Sequence, residues 1–294
     1  MELQSFFNYL QFEKRCSAHT LTAYRNDLRQ FSDYLRRVYD VTDVSAVEVK
    51  HIRSWMVHLF NQRIGGRSMN RKLSCLSSYF RFMQRSGKVK QSPMTPVTGP
   101  RAPQRLPVFI PSDQMESLFA SVNFGSGFSG MRNRMLLELL YATGMRRSEL
   151  IALQDSSVDF RRNTIRVLGK GGKERLVPFG DSLKELLQKY LDERNRHFGK
   201  EQFPALVVSD SGKQMNPRSV YNCVRRLLDQ VTFVSRRSPH VLRHTFATHL
   251  LNNGAEIQAI KELLGHASLA ATQVYTHNSV EQLKAVYRKA HPKA

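Results

Sequence analysis

The chain has 294 residues with 45 lysines and arginines against 24 aspartates and glutamates, a net charge of +21, and that imbalance points to a polyanion partner, nucleic acid fitting best. Three cysteines, Cys16, Cys75 and Cys223, odd in number and outside any C-x-x-C pattern, exclude a disulfide framework and a zinc knuckle and indicate a reducing compartment. The start MELQSFFNYLQFEKRCS lacks the pattern of a signal peptide, and no apolar run reaches the roughly 18 residues of a membrane span, so a cytoplasmic protein of two domains with no membrane partner is expected.

Residues 1–90 read as a helical domain. LQSFFNYLQFEKR, TLTAYRNDLRQFSDYLRRV and SMNRKLSCLSSYFRFMQR each repeat apolar residues at spacings of three and four, as at Leu21, Tyr24, Leu28, Phe31 and Leu35, which describes one buried face per helix. From Val49 to Ser112 there is no acidic residue, while twelve lysines and arginines occur. One-signed charge on an ordered domain invites a duplex, so Arg67, Arg71, Lys72, Arg81 and Arg85, at near-helical spacing on the last helix, are the candidate DNA-binding residues; a merely solvated basic face is the alternative.

Six of the eleven prolines fall within SPMTPVTGPRAPQRLPVFIP, where each removes a backbone donor and biases its predecessor to extended geometry. Residues 91–111 are therefore expected to be a linker, with 112–294 as the second domain.

In that domain MRNRMLLELLYATG is an apolar helix stopped by Gly144, and RRSELIALQ starts the next. TIRVLGKGGKERLVPF alternates on both sides of a glycine-rich turn and reads as a β-hairpin with Lys170 and Lys173 near its tip. It is not a nucleotide loop, because the G-x-x-x-x-G-K-[ST] spacing is absent. Helical segments follow: SLKELLQKYLDERNRHF, SVYNCVRRLLDQV, PHVLRHTFATHLLNNG, AEIQAIKELLG and SLAATQVYTH. The fold class expected is mainly α with a small antiparallel β-sheet. The tail HNSVEQLKAVYRKAHPKA carries Val280, Leu283 and Val286 at helical spacing, too little apolar surface to stand alone, which suggests docking.

SPHVLRHTFATHL begins with Ser238 as N-cap and Pro239 in the first turn. His240 and Arg243 thus share a face of the first turn, beside unpaired backbone donors and the positive dipole end, a natural seat for an anion. His240 and His244 have the spacing of H-E-x-x-H, but Val241 stands where a zinc hydrolase needs its glutamate, and an adjacent arginine repels a cation; no metal is expected. His244 and His249 lie beside the stripe Leu242, Phe246 and Leu250 and are read as packing or supporting residues. Arg146 follows a helix end, with Glu149 three residues on and able to hold its fork. His266 follows a glycine-stopped helix, with Tyr275 nine residues later.

Together, T-G-M-R-R-S-E-L, G-K-G-G-K-E-R-L-V-P, H-V-L-R-H-T-F-A-T-H-L, L-L-G-H and Y-T-H resemble the motifs of the tyrosine recombinases, the phage integrase family, and most closely its Xer-type members. The N-terminal T-L-T-A-Y-R-N-D-L-R-Q-F is similar to the family's helical SAM-like core-binding domain. The resemblance implies a two-domain clamp on duplex DNA. It assigns Arg146 and Arg243 to the scissile phosphate, Lys170 to protonation of the leaving 5′ oxygen, His240 to acid/base work and a phosphate contact, His266 to a hydrogen bond to the phosphate, Tyr275 to nucleophilic attack and Glu149 to support. Lys173 is the alternative to Lys170. It further implies that the tail docks on a neighbouring protomer in a homo- or hetero-tetramer on two DNA sites, with a second recombinase and a DNA translocase as candidate partners, in the resolution of chromosome or plasmid dimers.

The chemistry suits these residue types. A tyrosine ester holds the cut 3′ end so that the bond can be remade without ATP. Only about one free tyrosine in a thousand is ionised at pH 7, and two arginines would favour the phenolate and stabilise the extra charge of the phosphorane. No metal or other cofactor is then required, provided a lysine protonates the leaving oxygen. A mobile-element integrase shares this chemistry. A type IB topoisomerase would instead relax supercoils as a monomer, and a non-catalytic DNA-binding protein would need only the basic surface.

Overall fold

Two separate hydrophobic clusters organise the chain, which divides between them into Met1–Arg105 and Leu106–Ala294. The computed structural model describes residues 3–101, 108–169, 172–199, 202–203, 205–230, 237–265 and 277–293.

The described regular structure of the first unit is helical. α1 (Gln4–Asn8) runs into a π-helical turn, Tyr9–Glu13. α2 (Ala18–Tyr39) is N-capped by Ser17, whose hydroxyl accepts from the Thr20 amide at 3.3 Å. α3 (Val49–Asn61) and α4 (Gly66–Arg85) complete it. Trp55 and Phe31 meet at 4.9 Å between ring centroids in the core, joined by Phe6, Tyr79 and Phe80.

The structure corrects one expectation for α4. Lys72 is only 8% exposed, and its ammonium donates to Asp27 at 2.9 Å and to Gln30. It is committed to a buried carboxylate and is not presented to a duplex. Arg71 shares that carboxylate but keeps a half-exposed side chain. The first part of the proline-rich segment also differs from a free linker: Met94 is buried in the first core, and the Asn70 amide donates to the Pro100 carbonyl at 3.0 Å.

In the second unit α5 (Ser112–Ser121) precedes α6 (Gly127–Thr143), which is apolar on nearly every face because α8 (Asp181–Phe198), α9 (Pro217–Asp229) and α10 (Pro239–Asn252) surround it. Between α7 (Arg147–Ala152) and α8 lies a three-stranded antiparallel sheet, β1 (Val158–Asp159), β2 (Thr164–Leu168) and β3 (Glu174–Pro178), in that spatial order. Arg166 pairs with Leu176 and Leu168 with Glu174, and the Gly169 amide donates to the Lys173 carbonyl at 2.7 Å to close the expected hairpin. The expected class, mainly α with a small antiparallel sheet, is the one observed.

α11 (Ile257–Leu264) and α12 (His277–Ala290) end the chain. α12 packs on its own unit. Leu283, Tyr287 and Ala290 are buried there, the Asn253 amide donates to the Ala290 carbonyl at 2.7 Å, and Lys293 reaches Glu138 at 3.0 Å across the Phe119 ring. His291 adds what the apolar count of the tail omitted: it is buried, stacked on Tyr287 at 4.7 Å.

Removing one partner of a buried ion pair strands the other. Asp27→Ala should therefore destabilise the first unit by about 3–5 kcal/mol, read as a lower urea midpoint in the fluorescence of Trp55, the single tryptophan. An unchanged midpoint would mean that Lys72 finds solvent without cost.

Candidate active site

α6 stops at Gly144, where φ is +58°. A Cβ there would lie 2.4 Å from Phe246 Cδ1 and 3.0 Å from Leu264 Cδ2, so only glycine lets the chain turn against α10 and α11. Two residues later Arg146 stands as the N-cap of α7, and the side chain that caps it comes from Glu149: Oε2 accepts from the Arg146 amide and Oε1 from its Nη1, both at 2.7 Å. The expected Arg146–Glu149 pairing is thus present, with the Arg146 side chain still 34% exposed.

Glu149 has a second partner. Arg175 on β3 donates from Nη2 to Oε2 at 2.8 Å and from Nη1 to Oε1 at 3.1 Å, while its Nε donates to the Leu263 carbonyl at 2.7 Å. Arg175 is 3% exposed. Burial alone would raise the pKa of the Glu149 carboxyl; the hydrogen bonds and charge of Arg175, with those of Arg146, outweigh it and hold the group below its ordinary value.

Arg243 is fixed by two helix ends. Nη1 donates to the Gly144 carbonyl and Nη2 to the Leu264 carbonyl, each at 2.7 Å. Among the described residues these use two of its five N–H donors. Burial, followed by repulsion from Arg146, pushes its pKa down to about 10, and it stays charged at neutral pH. His240, one turn earlier, is exposed at its edge. Desolvation and the cations Arg147, Arg243 and Arg146 hold its pKa below the usual histidine value, so it is neutral at pH 7 in surroundings that repel a metal ion. The Ser238 side chain makes no capping bond, although its backbone is extended as an N-cap requires; its carbonyl instead accepts from the Val241 amide at 2.9 Å.

His249 is a structural residue, as expected. Its Nδ1 meets the Tyr141 hydroxyl at 2.9 Å and its Nε2 the Ile110 carbonyl at 2.8 Å, and the Ile110 amide donates to Thr245 Oγ1 at 2.9 Å. Both polar backbone groups of residue 110 are thereby tied to α10. His244 is half-buried beside Phe109. Lys173 is exposed. Lys170, His266 and Tyr275 lie outside the described residues. On α4, Arg67, Arg81 and Arg85 are exposed, Arg85 donating to the Tyr9 hydroxyl at 3.1 Å.

Arg175 is thus buried in the network rather than solvated. One signal was available: on a strand with period two, Arg175 shares its parity with Val177, and both are buried.

Comparison with known proteins places this geometry. The model of the phage integrase family matches residues 108–282, and that of the family's N-terminal SAM-like domain matches residues 3–87. The chain belongs to the phage integrase family. Its relatives include tyrosine recombinase XerC of Anoxybacillus flavithermus, 38% identical over 99% of this chain and 98% of that one, and XerC of Pelobacter propionicus, 39% identical over 100% and 96%. Among solved structures, the Tn1549 transposon integrase with transposon right-end DNA superposes with a TM-score of 0.73 at 17% identity, covering 96% of this chain and 98% of the other. XerH bound to palindromic difH gives 0.72 at 21%, covering 92% and 80%. The chain is a site-specific tyrosine recombinase of the Xer type, a DNA strand-exchange enzyme.

The recombinase should show Glu149 in its acid stability. A carboxyl with a folded pKa below its unfolded one adds stability that is present above the unfolded value, near 4.3, and is lost as pH falls through the folded one. At pH 7, Glu149→Gln should melt well below wild type, and the gap should close as pH falls below about 4.3, since a protonated glutamate resembles glutamine. A gap independent of pH would contradict the assignment.

Proposed function

We propose that this recombinase breaks one strand of duplex DNA by attack of Tyr275 on the scissile phosphate, forming a 3′-phosphotyrosyl bond, and remakes strands through a Holliday junction. Arg146 and Arg243 clamp the phosphate, His240 and His266 contact it, and Lys170 delivers the proton to the leaving 5′ oxygen. Glu149 supports the site. The observation that carries this reading is the nearness of two arginine forks, Arg146 on Glu149 and Arg243 on the Gly144 and Leu264 carbonyls, to one another and to His240 at the first turn of α10. That arrangement is complementary to a dianionic phosphorane.

The two units, a helical DNA-binding domain within 1–90 and a catalytic domain within 112–294, act as a clamp joined through residues 91–111. Arg67, Arg81 and Arg85, with the exposed part of Arg71, meet the duplex. Four protomers, alike or paired with a second recombinase, assemble on two DNA sites, and a DNA translocase is a candidate activator. The task is the resolution of chromosome or plasmid dimers in the cytoplasm. Likeness to XerC over the whole chain supports this over a mobile-element role. Among the described residues no helix is long and apolar enough to cross a membrane.

Covalent trapping tests the reading. Incubated with nicked host DNA and denatured in detergent, the wild type should carry one enriched sequence, Tyr275→Phe none despite unchanged DNA affinity, and Arg243→Ala a cleavage rate lower by about 10²–10³-fold. An adduct persisting in Tyr275→Phe would refute the nucleophile. If host extract does not restore trapping where the wild type alone shows none, the catalytic reading fails.

A further inference from the structure

The Glu149 carboxylate has room for about four hydrogen bonds, and four donors fill it. Arg175 supplies two through its fork, the Arg146 amide a third and Arg146 Nη1 the fourth. Among the described residues the Arg146 guanidinium therefore spends a single N–H on its own site. Without Arg175 two acceptor positions on Glu149 would open beside the Arg146 fork, and the most stable arrangement of an arginine and a carboxylate is bidentate. Arg146 would then turn its donors inward and away from DNA.

Arg175 also reaches the end of α11. Its Nε holds the Leu263 carbonyl, the neighbouring Leu264 carbonyl is held by Arg243, and Gly265 lies against the arginine so closely that a Cβ there would sit 3.1 Å from Arg175 Cδ. Gly265, at φ +63°, immediately precedes His266. On its other side Arg175 stands two residues beyond Lys173 on the strand that leaves the hairpin turn. One buried side chain thus joins the α7 start, the hairpin base and the α11 end.

We propose that Arg175 is a positioning residue of the recombinase: by occupying two acceptor sites of Glu149 and the Leu263 carbonyl, it keeps the Arg146 fork open to the scissile phosphate and fixes the end of α11. The inference rests on the phosphate role proposed for Arg146. Buried at 3% exposure, Arg175 presents almost no surface to DNA, so it acts on the rate of strand cleavage more than on DNA affinity. A lysine in its place keeps a cation for Glu149, and hence the fold, but a single ammonium cannot span both carboxylate oxygens and the Leu263 carbonyl in this geometry.

The test is single-turnover formation of the covalent adduct on a nicked duplex of the trapped sequence, at saturating protein, with wild type, Arg146→Ala, Arg175→Lys and Arg175→Ala compared. Arg175→Lys should melt close to wild type, bind DNA with nearly unchanged affinity and cleave about 10²-fold more slowly, as expected for a misplaced phosphate clamp. Guanidinium ion at low millimolar concentration should restore part of the rate of Arg175→Ala and leave wild type unaffected; a merely destabilised protein would not gain from a denaturant. Arg175→Lys cleaving at the wild-type rate while Arg146→Ala fails would overturn this inference alone. A rate of Arg175→Ala that follows its unfolded fraction and ignores guanidinium would reduce Arg175 to a structural role. A wild type without a Tyr275-dependent adduct would remove the functional reading and this inference with it.

Discussion

A single buried carboxylate, Glu149, accepts from the side chains of two arginines at once, and the arrangement of the site follows from that bond network. Arg146 comes from the turn after α6, Arg175 from β3, and the Leu263 carbonyl that Arg175 holds from the end of α11. These segments are far apart in sequence. A carboxylate with one partner would neutralise it; with two, it fixes both and neutralises neither in full. Burying such a group is costly unless every acceptor position is filled, and here all are.

The second constraint is electrostatic. Arg146 and Arg175 bind one carboxylate and Arg243 lies within reach of its charge, three positive charges against one negative. Like charges at this density destabilise the free protein unless dipoles offset them. Helix C-terminal carbonyls do so: Gly144 ends α6 and Leu264 ends α11, and Arg243 binds both where the dipole is negative. The first turn of α10 contributes the opposite, positive end of a helix dipole. The remaining excess of positive charge is suited to a phosphate of the recombinase's DNA. Held neutral by the same cations, His240 can sit beside that phosphate without adding to the repulsion.

Much of this was legible in the sequence, because its signals are local. Glycine after an apolar helix marked the α6 end, Ser-Pro marked the start of α10, and alternation around G-K-G-G-K marked the hairpin; each is a backbone requirement readable within a few residues. Lys72 was misread because its partner, Asp27, lies on α2 and periodicity on α4 says nothing of it. α3 went unread, since Val57 and Phe60 are exposed and blur its apolar stripe. Arg175 was missed for a similar reason: its partners, Glu149 and Leu263, come from other segments of the domain. The tail docks at home through His291 and Lys293, polar residues that an apolar count leaves out.

The central claim is that the two arginine forks act on the charge of the scissile phosphate. The most direct measurement replaces one non-bridging oxygen of that phosphate by methyl, giving a neutral methylphosphonate, and compares cleavage by wild type and Arg243→Ala. With the charge gone the clamp has nothing to neutralise, so the rate ratio of about 10²–10³ expected on the natural phosphodiester should collapse toward unity. A ratio of the same size on both substrates would show that Arg243 serves the recombinase only by holding Gly144 and Leu264, and the account of the clamp would be wrong.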